Sequence, residues 1–162
     1  MAGGDDRRTD ITPSTHTPGT TADVPLRLDE LLDGHSMRDV ARLRRAIRET
    51  MPPPGPRKHD VAVLVGDLNG HLVAPMYFRD LPWPGDPARM HVLLDAVAEV
   101  VGEHGSVVVL LVRPGPAHAT AADRTWQEVA QRCWQARGVL DLGCYVLGSR
   151  GVELLPRLEV VA

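Results

Sequence analysis

Apolar residues recur along this chain in two rhythms, and the alternation between them predicts its architecture. Ser106-Val-Val-Val-Leu-Leu-Val112 is apolar almost without interruption, as expected of a strand buried on both faces. It breaks at Arg113-Pro-Gly-Pro-Ala-His-Ala-Thr120 and gives way to a helical stretch, 121–137. Trp126, Val129, Ala130 and Cys133 form the core stripe of that helix, Trp134 sits at the stripe's edge, and Gly138 closes it. Val139-Leu-Asp-Leu-Gly-Cys-Tyr-Val-Leu147 then has the length and content of a buried strand, and Gly148-Ser-Arg-Gly151 turns the chain back into Val152-Glu-Leu-Leu155. This pattern predicts near-complete burial of Val109, Leu111, Leu142 and Val146.

Upstream, Val61-Ala-Val-Leu-Val65 reads as a strand, Asp67-Leu-Asn-Gly70 as its turn, and 71–78 as the hairpin partner. Pro75 lacks a ladder donor and places that partner near an edge or bulge. Asp86 caps a helix with Pro87 at its first position, and Met90, Leu93, Leu94, Val97, Val100 and Val101 carry its apolar face as far as Gly105. The order is β-β-α-β-α-β-β: an α/β fold with a mixed β-sheet flanked by helices.

The amino-terminal third reads differently. Residues 1–24 are Gly, Asp, Thr, Pro and Ser with little to bury, the composition of a disordered tail. From 25 to 51 the spacing is helical and breaks at Gly34-His-Ser36, with Ser36 as the expected cap of the second piece and Asp39 completing the pair. A Pro-rich linker, 52–58, tethers this small helical segment to the main domain at 59–156, and 157–162 form a carboxyl-terminal tail.

Composition narrows the function classes. The 162 residues carry a net charge of -3, which disfavours a whole-surface nucleic-acid binder. Lys58 is the only lysine, a skew that fits a GC-rich genome better than a binding function. Cys133 and Cys144, without metal-ligand spacing, suit buried small hydrophobes in a reducing cytoplasm. No signal peptide or membrane-length apolar run is present, so the expected location is cytoplasmic. Arg38, Arg42 and Arg45 follow an i, i+4, i+7 pattern within the basic 38–48 stretch, a solvated helix face or a contact for phosphates or an acidic partner. Trp83, in a Pro-rich loop, is a candidate exposed contact.

A loop after a buried strand that leads straight into a helix is where an α/β sheet concentrates its chemistry, which points to the segment between Arg113 and Asp123. Thr120-Ala-Ala-Asp123 reads as a capping box. Arg113 is either a solvated loop residue or a partner for Asp123. His118 could join His59, His91 and His104 in a scattered metal site, although its spacing matches no helical pair.

Residues 61–72 (Val61-Ala-Val-Leu-Val-Gly-Asp-Leu-Asn-Gly-His-Leu72), 139–148 (Val139-Leu-Asp-Leu-Gly-Cys-Tyr-Val-Leu-Gly148) and the Val109–Asp123 stretch between them resemble the RadC-like branch of the JAB/MPN metalloprotease fold, over roughly His59 to Pro156. The resemblance implies a cytidine-deaminase-like sheet and a metal signature, His-x-His-Pro then Ser-x-x-Asp. In that family two His and the Asp hold zinc, an upstream Glu activates the bound water and the Ser steadies the oxyanion. Laid on this chain, the signature is degenerate. Leu111 and Arg113 stand at the two His positions, Thr120 at the Ser, and Asp123 keeps the Asp across a loop one residue short. The Glu position falls at His59, beside Asp60, and the family's strand His is Gly143. These substitutions imply a vestigial site, no cofactor and no catalytic residues: a pseudoenzyme serving as a protein-binding or scaffold module. The alternatives are a zinc-dependent peptidase or isopeptidase with substituted ligands, and a DNA-associated module contacting nucleic acid through the 38–48 helix, as RadC-like proteins often carry a helical DNA-binding module ahead of this domain.

Overall fold

The computed structural model describes residues 23–51, 59–82 and 85–159. Helices α1 (Asp23–Leu32) and α2 (Val40–Thr50) come first, followed by the hairpin β1 (Asp60–Asp67) and β2 (Leu72–Phe78). Helix α3 (Pro87–Val101), strand β3 (Gly105–Val112), helix α4 (Ala121–Arg137) and strands β4 (Leu140–Gly148) and β5 (Gly151–Leu154) complete the chain. One five-stranded sheet results, in the order β2-β1-β3-β4-β5. Among the described residues, only β3 and β4 pair in parallel, with α4 as their crossover. The α/β architecture and mixed sheet expected from the sequence are present.

The strand alternation sorts side chains into two cores. Val61, Val63, Val107, Val109, Leu111, Cys144 and Val146 face α3 and α4. Ala62, Leu64, Val108, Leu110, Tyr145 and Leu147 face the opposite way, against Leu28, Leu32, Leu43, Ala46 and Ile47 of α1 and α2. Every residue of β3 is buried, because helices cover both of its faces. The helical segment at 25–51 therefore packs on the sheet as a third layer.

Several expectations need correction. Asp23 and Val24, assigned to the tail, open α1. The cap of α2 is Asp39, whose carboxylate accepts the Arg42 N–H at 3.1 Å, while the Ser36 hydroxyl is drawn away to the Asn69 carbonyl at 2.7 Å. Trp134, placed at the core edge, is only 1% exposed. Leu142 is half-buried, and it packs against the α1–α2 core rather than beside Val146. A β-bulge causes this: Val107 pairs with Asp141 but Val109 with Cys144, so β4 holds one extra residue. Gly143, at φ 130°, supplies the backbone conformation there, and the inserted residue flips Leu142 to the other face. The tail at 1–22, the linker at 52–58, Trp83 and residues 160–162 lie outside the described residues.

Candidate functional site

The carboxyl end of β3 gathers the polar residues that the sequence singles out. Arg113 extends the parallel ladder by one step, its N–H donating to the Leu147 carbonyl at 3.1 Å. Its side chain lies on the α3–α4 side with Leu111, and Asp123 meets it there from the first turn of α4. Nε donates to Asp123 Oδ1 at 2.8 Å and Nη2 to Oδ2 at 2.6 Å, a bidentate pair. Arg113 is 4% exposed and Asp123 0%. Of the two readings of Arg113, the paired one holds.

The same two groups also build the loop and the helix end. Arg113 Nη1 donates to the carbonyls of Pro116 at 2.9 Å and Pro114 at 3.3 Å, and Nη2 to that of His118 at 2.6 Å. One guanidinium thus closes the whole 113–118 loop on itself. Asp123 Oδ2 accepts the Thr120 N–H at 2.8 Å while Thr120 Oγ1 accepts the Asp123 N–H at 3.3 Å, completing the capping box. The loop is also pinned from outside, as the Ser149 N–H donates to the Gly115 carbonyl at 2.8 Å. Gly148 must lack a side chain there, since a Cβ would lie 2.5 Å from that carbonyl oxygen.

His59 and Asp60 arrive from the neighbouring strand. Asp60 pairs with Val112 across the β1–β3 ladder, which sets His59 beside Arg113. Burial, and then the positive charge of Arg113, hold the His59 imidazole below its ordinary pKa, with Asp60 opposing them. The Asp60 carboxylate accepts the Asp80 N–H at 2.8 Å, and the His59 carbonyl accepts that of Leu81 at 2.9 Å. Leu111 is fully buried beneath the pair. Of the six candidate residues, Leu111, Arg113, Thr120 and Asp123 come together around one buried ion pair with His59 beside it, while Asp60 shares the opposite face of the sheet with Val112.

The scattered histidines do not converge. His118 lies 3.7 Å from Glu153 and His104 3.7 Å from Glu103, both at the surface. Among the described residues, no three His, Cys, Asp or Glu side chains come together as metal ligands would. Cys133 and Cys144 are buried free thiols, and burial, with the nearby Asp141 and Asp123 charges, pushes the Cys144 thiol far up.

The basic face is divided. Arg38 precedes α2 instead of continuing its face, and its Nη2 donates to the Leu68 carbonyl at 3.0 Å. Arg42 is exposed, Arg45 pairs with Glu49 at 2.8 Å, and Arg44 donates to the Val152 carbonyl at 3.0 and 3.3 Å. At the amino end of β4 lies a groove that the sequence did not announce outright, floored by Leu140, Asp141 and Leu142. Its signal was the Asp and Gly interrupting an otherwise apolar strand, the mark of a bulge. Among the described residues, no helix is long and apolar enough to cross a membrane.

No protein-family model matches the chain, and no curated protein matches it.

Proposed function

We propose that this chain is a RadC-like JAB/MPN domain whose metal centre has been replaced by an ion pair, and that it works as a non-catalytic protein-binding or scaffold module. The β-β-α-β-α-β-β order and the mixed sheet support the fold assignment. The observation that carries the functional reading is the buried bidentate pair between Arg113 and Asp123.

The residues present do not fit the zinc that the resemblance implies. Asp123, the one retained ligand type, has both oxygens engaged by N–H donors, and a permanent cation stands against it. Leu111 offers no lone pair at the position of the first His. His59 stands in place of the general base, with its protonated form disfavoured by burial and then by Arg113, and the chemistry of water activation has no anchor.

Calorimetric zinc titration tests this reading, together with elemental analysis of the purified protein. The expected result is no stoichiometric zinc in the wild type. Leu111→His with Arg113→His is expected to create no hydrolytic activity, because the shortened loop and the missing Glu remain. One zinc per chain, removable by a chelator with loss of peptide-bond or isopeptide-bond cleavage, would overturn it.

A further inference from the structure

The groove at the amino end of the sheet has a construction that the Arg113 centre does not explain. It encloses about 640 Å³ between the start of α2, the first residues of β4 and the segment after β5. Leu140 and Leu142 from β4 and Leu154 from β5 are half-buried aliphatic side chains on its floor. The bulge at Gly143 is what turns Leu142 toward it. Beyond the Leu155 N–H bond to the Cys144 carbonyl, at 2.8 Å, β5 no longer pairs with β4, and the first four residues of β4 have no strand partner on that side.

Two cations border this apolar floor. Arg38 is held by the Leu68 carbonyl at 3.0 Å and Arg157 by the Asp141 carbonyl at 2.8 Å, so each is fixed by one backbone acceptor. Among the described residues neither forms a salt bridge, and both are exposed. Asp141 is the groove's own acid, and its carboxylate accepts the Gly143 N–H at 2.9 Å. The balance is two positive charges against one negative over aliphatic walls.

We propose that this groove binds an extended peptide segment of a partner protein that alternates aliphatic and acidic side chains. Aliphatic side chains of the segment would cover Leu140, Leu142 and Leu154, while its carboxylates reach Arg38 and Arg157. An extended segment presents its side chains alternately, so one set can face the leucines while the other reaches the rim. Single-stranded nucleic acid fits less well, since among the described residues no aromatic ring lines the groove for base stacking. The inference rests on the protein-binding reading and gives it a location, yet no step of it involves zinc, so either can fail alone.

Fluorescence anisotropy with three labelled probes decides it on the full chain at physiological ionic strength. The probes are a heptapeptide of alternating Leu and Glu, the same peptide with Lys for Glu, and an oligo-dT of similar length. The Glu peptide is expected to bind saturably and the Lys peptide roughly tenfold more weakly. Arg38→Glu with Arg157→Glu, both exposed and outside the core, is expected to reverse that preference at a melting temperature lowered by no more than a few degrees. Equal binding of the two peptides, no binding of the Glu peptide, an unchanged preference in the double variant, or tighter binding of oligo-dT would each overturn the proposal.

Discussion

Removing the Arg113 side chain strips Asp123 of its cation while leaving the carboxylate buried, and the cost follows from what remains. Two charge-assisted hydrogen bonds to the carboxylate disappear, along with the bonds to the Pro114, Pro116 and His118 carbonyls. The Thr120 N–H and the helix amino end still face the charge. Breaking a buried pair from one side costs about 3–5 kcal/mol, so Arg113→Ala should lose that much, a large part of the roughly 5–15 kcal/mol that holds a domain together. Asp123→Asn is milder. Its amide oxygen can keep the two bonds made to Oδ2, but its NH2 then opposes Arg113 Nε–H, for about 1.5–3 kcal/mol. Arg113→Met with Asp123→Leu removes both charges together and should cost well under the sum of Arg113→Met and Asp123→Leu made singly. Urea unfolding followed by circular dichroism gives all of these values. An Arg113→Ala loss below about 1 kcal/mol, or strict additivity in the double variant, would show that the pair is not the organising contact of this loop.

Two further outcomes are expected. Leu111→Ala, at 0% exposure, should cost about 2–5 kcal/mol, whereas Leu142→Ala, half-buried at the bulge, should cost about 1 kcal/mol; equal losses in urea would contradict the bulge. The lowered pKa of His59 means that, below about pH 6.5, the unfolded chain takes up a proton that the native imidazole resists. Stability should therefore fall on acidification until the folded-state pKa is passed. Arg113→Met should raise the His59 pKa in an NMR titration, and no movement would remove Arg113 as a cause.

Local chemistry made part of this molecule readable. The continuous apolar run of β3, the Asp86-Pro87 start of α3 and the Thr120–Asp123 box of α4 each announce themselves within a few residues. Arg113 and Asp123 were readable as partners because a short loop joins them and no other cation lies in it. What escaped was set by distant parts of the chain. Ser36 and Asp39 are equally good caps by type, and only the arrival of Asn69 decides between them. The bulge is fixed by how β4 registers against β3, so the face taken by Leu142 is not a property of its own strand. The packing of α1 and α2 on the sheet did have a signal: a strand apolar on both faces needs two covering layers, and α3 and α4 provide only one.

Because β3 and β4 run parallel, Arg113 at the end of β3 and Leu140 at the start of β4 lie at opposite ends of the sheet. At the first end the polar groups satisfy one another: the guanidinium is consumed by a carboxylate and three carbonyls, and the carboxylate by three N–H donors. A site so closed contributes rigidity to the loop and the start of α4. At the second end the arrangement is reversed. Arg38 and Arg157 are fixed by backbone carbonyls, Arg157 beside the Asp141 carboxylate, and three leucines remain half in water. Stability and recognition should then separate in one panel of variants, since residues that share no partner act additively. Arg113→Met with Asp123→Leu should move the urea midpoint while leaving the affinity for the Leu/Glu peptide within about twofold. Arg38→Glu with Arg157→Glu should do the opposite. If the first pair of substitutions abolished peptide binding in a chain still folded by circular dichroism, the two ends would be coupled, and the loop at 113–118 would belong to the binding surface after all.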